Sequence, residues 1–264
     1  INPGINSDLD QPDASTNALQ NVFVIIPMLN EQESIGLVIH DLPNVSRVVV
    51  VDNGSTDNGP AIANDAGAMV IREPQRGYGR ACLAGIDYVT SRAADMAPDR
   101  AANLIVVFID GDYSDHPDES VQLIRPILLD EADFVVGSRS RGEREKGSMH
   151  VQAIVGNWLA CSLMKLFWKT DYTDLGPFRA IRYPSLMSLG MQDETYGWTI
   201  EMQIKAATAG LRCVEVPVSY RRRIGVSKIS GTVTGTVRAG YKILHTIFKY
   251  RTDDARRRPV STAK

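Results

Sequence analysis

Short apolar runs punctuate the first half of the chain, and a polar cluster cuts off each of the longer ones. Val22–Ile26 (VFVII) stops at Pro27 and passes into MLNEQES. Arg47–Val51 (RVVVV) stops at DNGSTD, and Leu104–Ile109 (LIVVFI) stops at Asp110-Gly111-Asp112. Runs this short and this continuously apolar predict strands buried on both faces. A shorter strand covers Ala68–Ile71. Spacing and end signals predict helices over Glu33–His40, Gly59–Ala66 (capped by Thr56 or Asp57), Arg80–Ala94 and Pro117–Leu129, with a loop at Pro98–Asn103. Beyond these come a strand at Phe134–Gly137, a helix over Val151–Lys169 and an irregular stretch that becomes a strand by Ile181. A helix Thr199–Ala209 closed by Gly210, an alternating strand Cys213–Tyr220 and a helix Thr232–Tyr250 complete the pattern. Residues 1–21 read as a polar arm, and the basic tail after Tyr250 as loose.

Strands alternating with helices at this pitch predict an α/β fold, a parallel, doubly wound sheet with helices on both faces. The sheet domain covers 22–231, and the C-terminal helix and basic tail cover 232–264. Parallel strands end on one edge of their sheet. Asn30-Glu31, Asp52 and the Asp110/Asp112 pair therefore gather on that edge, where open α/β sheets bind ligands.

Asp110 and Asp112 stand one residue apart, and Gly111 lets the chain turn so that both carboxylates reach one ion. Such a pair suits a hard cation, Mg²⁺ or Mn²⁺, completed by waters and substrate phosphates; the alternative is a solvated acidic turn. Asp52, after a buried strand, is placed to accept from a ribose or a base. Arg76 with Gly77-Tyr78-Gly79 offers a cation and open backbone to a phosphate. No full dinucleotide fingerprint and no P-loop sequence occurs.

Composition narrows the choice. A net charge of −2 and a pI of about 6.1 over 264 residues leave no basic footprint for nucleic acid. Cys82, Cys161 and Cys213 are odd in number and unpaired in spacing, which points to a reducing compartment. No run nears the roughly 18 apolar residues of a membrane span, and the N-terminus has no secretory-type apolar core. A cytoplasmic protein is expected.

IPMLNE, VDNGSTD, RGYGRA and IDGDYSDHP occur in this order, followed by VVGSR, DLGPFRAI, GWTIEMQIKA and VPVSYRRRIGVSKISG. Together, over about Asn21–Gly231, they resemble the family 2 glycosyltransferases with the GT-A fold. Within these, the chain is most similar to the dolichyl- or polyprenyl-phosphate hexose synthases. The resemblance implies a Rossmann-like, mostly parallel sheet. It also implies metal-dependent transfer of a hexose from a UDP- or GDP-hexose to an acceptor, a polyprenyl or dolichyl phosphate, by inverting displacement. By resemblance, Pro27, Glu31 and Asp52 line the nucleoside pocket, Asp110 and Asp112 hold the metal, and Arg76 lies where the family often has Lys. Arg139 contacts a phosphate, and Asp174 and Arg179 fill the slot of the family's D-x-x-SGFR. Trp198 and Glu201 lie on the acceptor side. Arg222, Arg223, Ser227 and Lys228 form a basic loop over the diphosphate. Leu175-Gly176-Pro177 replaces the common Met-Ser-Gly and Ser114 a common Gln, departures that bear on sugar and acceptor.

A lipid phosphate is already anionic near pH 7, because a phosphomonoester's second pKa is about 6, and it needs positioning rather than a base. A soluble hydroxyl acceptor, the alternative, needs a carboxylate to take its proton, with Asp174 and Glu201 as candidates. Readings from other classes are a nucleotidyltransferase, which should show a Gly-rich basic loop where PMLNEQES stands, and a non-catalytic nucleotide-sugar-binding protein. The loop Arg221–Ser230 is expected to order on donor binding, with Gly225 as its hinge. On a helical wheel of 232–250, Val233, Val237, Tyr241, Leu244 and Phe248 share one side, extended by Ile243 and Ile247, opposite Arg238, Lys242, His245 and Lys249. With Trp158, Phe167 and Trp168, this predicts a peripheral protein on the cytoplasmic face of a membrane. A second copy of the chain is an open alternative as partner.

Overall fold

The computed structural model describes residues 19–225 and 233–257. Its strands are β1 (Val22–Met28), β2 (Arg47–Asp52), β3 (Met69–Arg72), β4 (Ile105–Phe108), β5 (Phe134–Ser138), β6 (Arg179–Arg182) and β7 (Cys213–Pro217). They form one sheet in the order β3-β2-β1-β4-β6-β5-β7. Its helices are α1 (Ile35–Asp41), α2 (Gly59–Asp65), α3 (Tyr78–Ala93), α4 (Pro98–Ala102), α5 (Ser120–Leu128), α6 (Val151–Trp168), α7 (Tyr183–Leu189), α8 (Trp198–Thr208) and α9 (Val233–Arg257). Val22, Val24, Ile26 and Met28 of β1 pack into one core with Ile35 and Val38 of α1 and Leu123 and Ile127 of α5. Phe23 and Ile25 point the other way, into a second core with α3, α6 and α8. Burial on both faces is why these strands show no polar alternation.

Four details differ from the sequence pattern. First, β1 continues through Pro27, which pairs with Val51. The Ile25 carbonyl accepts from Ile109 on the β4 side and the Met28 carbonyl from Asn53 on the β2 side. Pro27 therefore faces β4, whose pairing with β1 ends at Phe108, so its missing N–H costs no ladder bond. Second, residues 98–102 form a short helix with Pro98 in its first turn rather than a loop. A further helix, α7, follows β6 directly and buries Leu186 and Leu189.

Third, β6 runs antiparallel to both β4 and β5, while the other pairings are parallel. A reversed strand brings its leading end, the segment before Arg179, to the edge where its neighbours bring their trailing ends. Fourth, α9 runs on to Arg257, so Arg256 and Arg257 belong to a helix and not to a loose tail. Its apolar side is divided. Ile247 is fully buried and Ile243 packs on the core, while Tyr241 and Phe248 stay exposed. No helix among the described residues is long and apolar enough to cross a membrane.

Candidate active site

The trailing ends of β1, β2 and β4 surround a cavity of about 270 Å³. Its walls include Pro27, Glu31, Asn53, Arg76, Tyr78, Asp110, Asp112, Tyr196 and Arg223. Glu31 is buried at the start of the chain's turn into α1, and it accepts from Arg223 Nη2 at 2.9 Å. Arg76 lies beside the Gly54 carbonyl, 3.3 Å from its Nη2.

Asp52 is placed differently from the expectation. It is not among the cavity-lining residues, and its Oδ1 accepts the Ser55 N–H at 2.8 Å. Its neighbour Asn53 takes the place on the wall. Asn53 donates to the carbonyls of Glu73 and Gln75 and accepts from the Gly77 N–H, and so ties β2 to the turn that opens α3.

The two glycines of that turn also make room for a second segment of chain. A Cβ on Gly77 would lie 2.3 Å from the Glu194 carbonyl oxygen, and one on Gly79 1.9 Å from that of Asp193. The backbone before α8 occupies the space that their missing side chains leave. Arg80 donates its N–H to the Glu194 carbonyl, and its guanidinium pairs with the Glu194 carboxylate. This segment brings Tyr196 to the cavity.

Asp110 and Asp112 face the cavity from the turn after β4. Asp110 accepts from the Tyr78 hydroxyl at 3.0 Å. Asp112 accepts the N–H and hydroxyl of Ser114 on Oδ1, and its Oδ2 pairs with Arg223 Nη1 at 3.1 Å. Loss of solvation, and then the charge of Asp112, push the Asp110 carboxyl up to about 7. Two carboxylates that resist joint ionisation, held in an all-oxygen site, fit a hard divalent cation. Among the described residues no set of three His, Cys, Asp or Glu side chains could hold a metal. Water and donor phosphates would therefore complete the shell, as suits Mg²⁺ or Mn²⁺.

A second cavity, of about 320 Å³, shares Tyr78, Asp110, Asp112, Tyr196 and Arg223 with the first. Arg139, Asn157, Tyr220 and apolar groups of α6 and α9 line its remainder. Arg139 is held from behind by Asp174, which receives its Nε at 2.9 Å, its Nη2 at 2.7 Å and its backbone N–H at 2.8 Å. The Arg139 guanidinium lies 5.0 Å from the centre of the Tyr220 ring. Asp174 itself is completely buried.

Other expected residues lie off both cavities. Arg179 is fully buried between the rings of Phe134 and Trp198 and donates only to the carbonyls of Leu175, Gly176 and Thr199. Burial, through loss of solvation, lowers its pKa to about 10. Glu201 is buried and accepts from the N–H groups of Gln192 and Asp193 and from the Tyr250 hydroxyl, and it pairs with Lys205. Trp198 is buried in the core. Arg222 points outward to Glu145 and the Lys146 carbonyl. Ser227 and Lys228 lie outside the described residues, as does the second half of the basic loop. The described half is already folded down. Arg221 stacks 3.3 Å from the Tyr113 ring centre and donates to the Tyr113 carbonyl, and Ile224 donates its N–H to the Asp112 carbonyl.

Sequence reading missed Asn53, Tyr196 and Asp115. Asp115 is fully buried, neither of its oxygens has a partner among the described residues, and burial raises its pKa well above the carboxylate range. Its signal was the third acid of DGDYSD.

The chain matches known proteins over most of its length. Residues 23–189 match the family model described as glycosyl transferase family 2. An uncharacterized glycosyltransferase of Mycobacterium tuberculosis is 35% identical over 220 residues, 82% of this chain and 93% of that one. The dolichyl-phosphate hexose transferase of Haloferax volcanii is 32% identical, covering 79% and 86% of the two chains. The undecaprenyl-phosphate mannosyltransferase of Micrococcus luteus is 28% identical, covering 81% and 89%. Among solved structures, glucosyl-3-phosphoglycerate synthase from M. tuberculosis, in complex with Mn²⁺, UDP-glucose and phosphoglyceric acid, superposes with a TM-score of 0.68 at 21% identity, over 96% of this chain and 86% of that one. Family model, relatives and architecture agree: the chain belongs to glycosyl transferase family 2, a glycosyltransferase built on the GT-A fold.

Proposed function

We propose that the protein transfers a hexose from a UDP- or GDP-hexose to a polyprenyl phosphate, with inversion, at the cytoplasmic face of a membrane. One observation carries the choice of acceptor. The only carboxylates that line the second cavity, among the described residues, are Asp110 and Asp112. Asp174 and Glu201, the two candidate bases, are turned to other partners. A hydroxyl acceptor would find no free base there, whereas a phosphate arrives as an anion.

In this reading the first cavity takes the nucleoside diphosphate and the second takes the acceptor phosphate. Asp110 and Asp112 would hold a Mg²⁺ or Mn²⁺ ion, which supplies charge stabilisation to the leaving diphosphate. Arg223 adds a second positive charge at the junction. Arg139, held by Asp174 and backed by Tyr220, orients the acceptor phosphate. Two polyprenyl-phosphate sugar transferases among the relatives support the acceptor class, and the Mn²⁺ and UDP-glucose of the structural neighbour support the donor and metal class. The test is nucleotide release from a panel of UDP- and GDP-hexoses with Mn²⁺, comparing a prenyl phosphate with phosphoglyceric acid as acceptor. Release stimulated by phosphoglyceric acid alone would move the function to a soluble acceptor.

A further inference from the structure

Helix α6 is mostly apolar, with Gln152, Asn157, Ser162 and Lys165 as its polar residues. Lys165 is the one charged residue among its 18. A helix of this composition belongs in a protein core or in lipid. Only one arc of α6 is covered. Ala160, Cys161 and Met164 face the core. On the opposite arc Val151, Ile154, Val155, Trp158, Leu159 and Leu166 are exposed, Val151 to 71%, Trp158 to 67% and Leu166 to 60%. Six large apolar side chains at helical spacing form a continuous stripe, not scattered surface residues.

We infer that this bare arc of α6 is the surface with which the protein lies on a lipid bilayer, and that the acceptor reaches the second cavity along it. The inference rests on the lipid-acceptor reading above. It moves the membrane contact from α9, whose Ile243 and Ile247 dock on the core, to the neighbouring helix.

Three observations favour lipid over a second copy of the chain. The stripe and the acceptor cavity share one helix: Ala153 and Gly156, which lie among the stripe residues in sequence, line that cavity together with Gly240 and Ile243 of α9. A prenyl tail leaving the cavity would thus meet apolar surface, whereas a protein partner seated on the stripe would crowd the entry. Next, α9 adds its exposed Phe248, whose ring lies 6.0 Å from that of Phe167, and Tyr241, which is 70% exposed. Exposed Trp and Tyr with a polar tip are residues of the bilayer interface. Finally, α6 holds no acidic residue of its own, and its one charge, Lys165, is a cation; the segments at its two ends carry both signs, Arg144 and Lys146 with Glu143 and Glu145, and Lys169 with Asp171.

The test is sedimentation of the full chain with vesicles of phosphatidylcholine, with and without phosphatidylglycerol. Wild type should sediment with the anionic vesicles. Trp158→Glu and Val155→Glu should each weaken binding on the order of tenfold or more. Both should keep the wild-type melting temperature and wild-type turnover of a short, water-soluble prenyl phosphate. Variants that sediment as wild type overturn the inference. So does a wild type that stays in the supernatant as a dimer which Trp158→Glu dissociates. Vesicle binding that depends on Trp158, in a protein that never glycosylates a prenyl phosphate, would retain the docking surface and discard the acceptor.

Discussion

Arg223 bridges Asp112 and Glu31, with one guanidinium nitrogen 3.1 Å from the Asp112 carboxylate and the other 2.9 Å from that of Glu31. It ties the end of the basic loop to the trailing ends of β1 and β4 at the point where both cavities meet. A charge-assisted contact of this kind contributes about 1.5–3 kcal/mol. Arg223→Ala is therefore expected to weaken binding of UDP or GDP with Mn²⁺ roughly ten- to a hundredfold by calorimetry. Unchanged affinity would remove Arg223 from the donor site.

Asp112→Asn should abolish transfer and leave the far-ultraviolet circular dichroism unchanged. The side chain faces the cavity, so its loss leaves no hole in the core. EDTA should silence the wild type reversibly. Turnover by the variant in EDTA would rule out a metal at this pair.

The raised Asp110 pKa predicts how metal and stability depend on pH. The carboxyl titrates near 7 in the fold, above its ordinary 3.8. The proton-holding fold is thus favoured at low pH, and that contribution is lost as pH rises through 7. A cation should restore it where the carboxylate is ionised. The rise in melting temperature caused by Mn²⁺ should be larger at pH 8 than at pH 6. An equal rise at both values would show that Asp110 does not bind the ion.

Asp174 and Arg139 form a buried pair that holds an arginine in place. Asp174→Ala leaves that cation uncompensated and should cost about 3–5 kcal/mol of stability by denaturant titration. If Asp174 were instead a base for a hydroxyl acceptor, Asp174→Asn would lower kcat with the donor KM and melting temperature unchanged.

Much of the first cavity's wall was legible in the sequence, because continuous apolar runs ending in acids have few structural interpretations. LIVVFIDGD placed Asp110 and Asp112 on the cavity wall, and IIPMLNE placed Pro27 and Glu31. Asp52 falls one residue off the cavity wall, where Asn53 stands. A strand end alternates sides, and only the turn held by Asn53 decides which side meets the cavity. The second cavity and its surroundings were less legible. Arg179 and Glu201 look like active-site charges in a sequence, yet their partners are backbone groups contributed by distant segments, which no local pattern records. Tyr196 depends on the fit between Gly79 and the Asp193 carbonyl, a contact of residues far apart in the chain.

The reversed β6 brings the two sides of the proposed site to one sheet edge on segments of opposite chain direction. In the proposed division the donor residues follow the trailing ends of β1, β2 and β4, while Asp174, which anchors Arg139, lies in the segment that leads into β6. A substitution before β6 alters the acceptor side without shifting the register of β1 or β2. The five side chains common to both cavities tie the two together, so a substitution at any of them should disturb both.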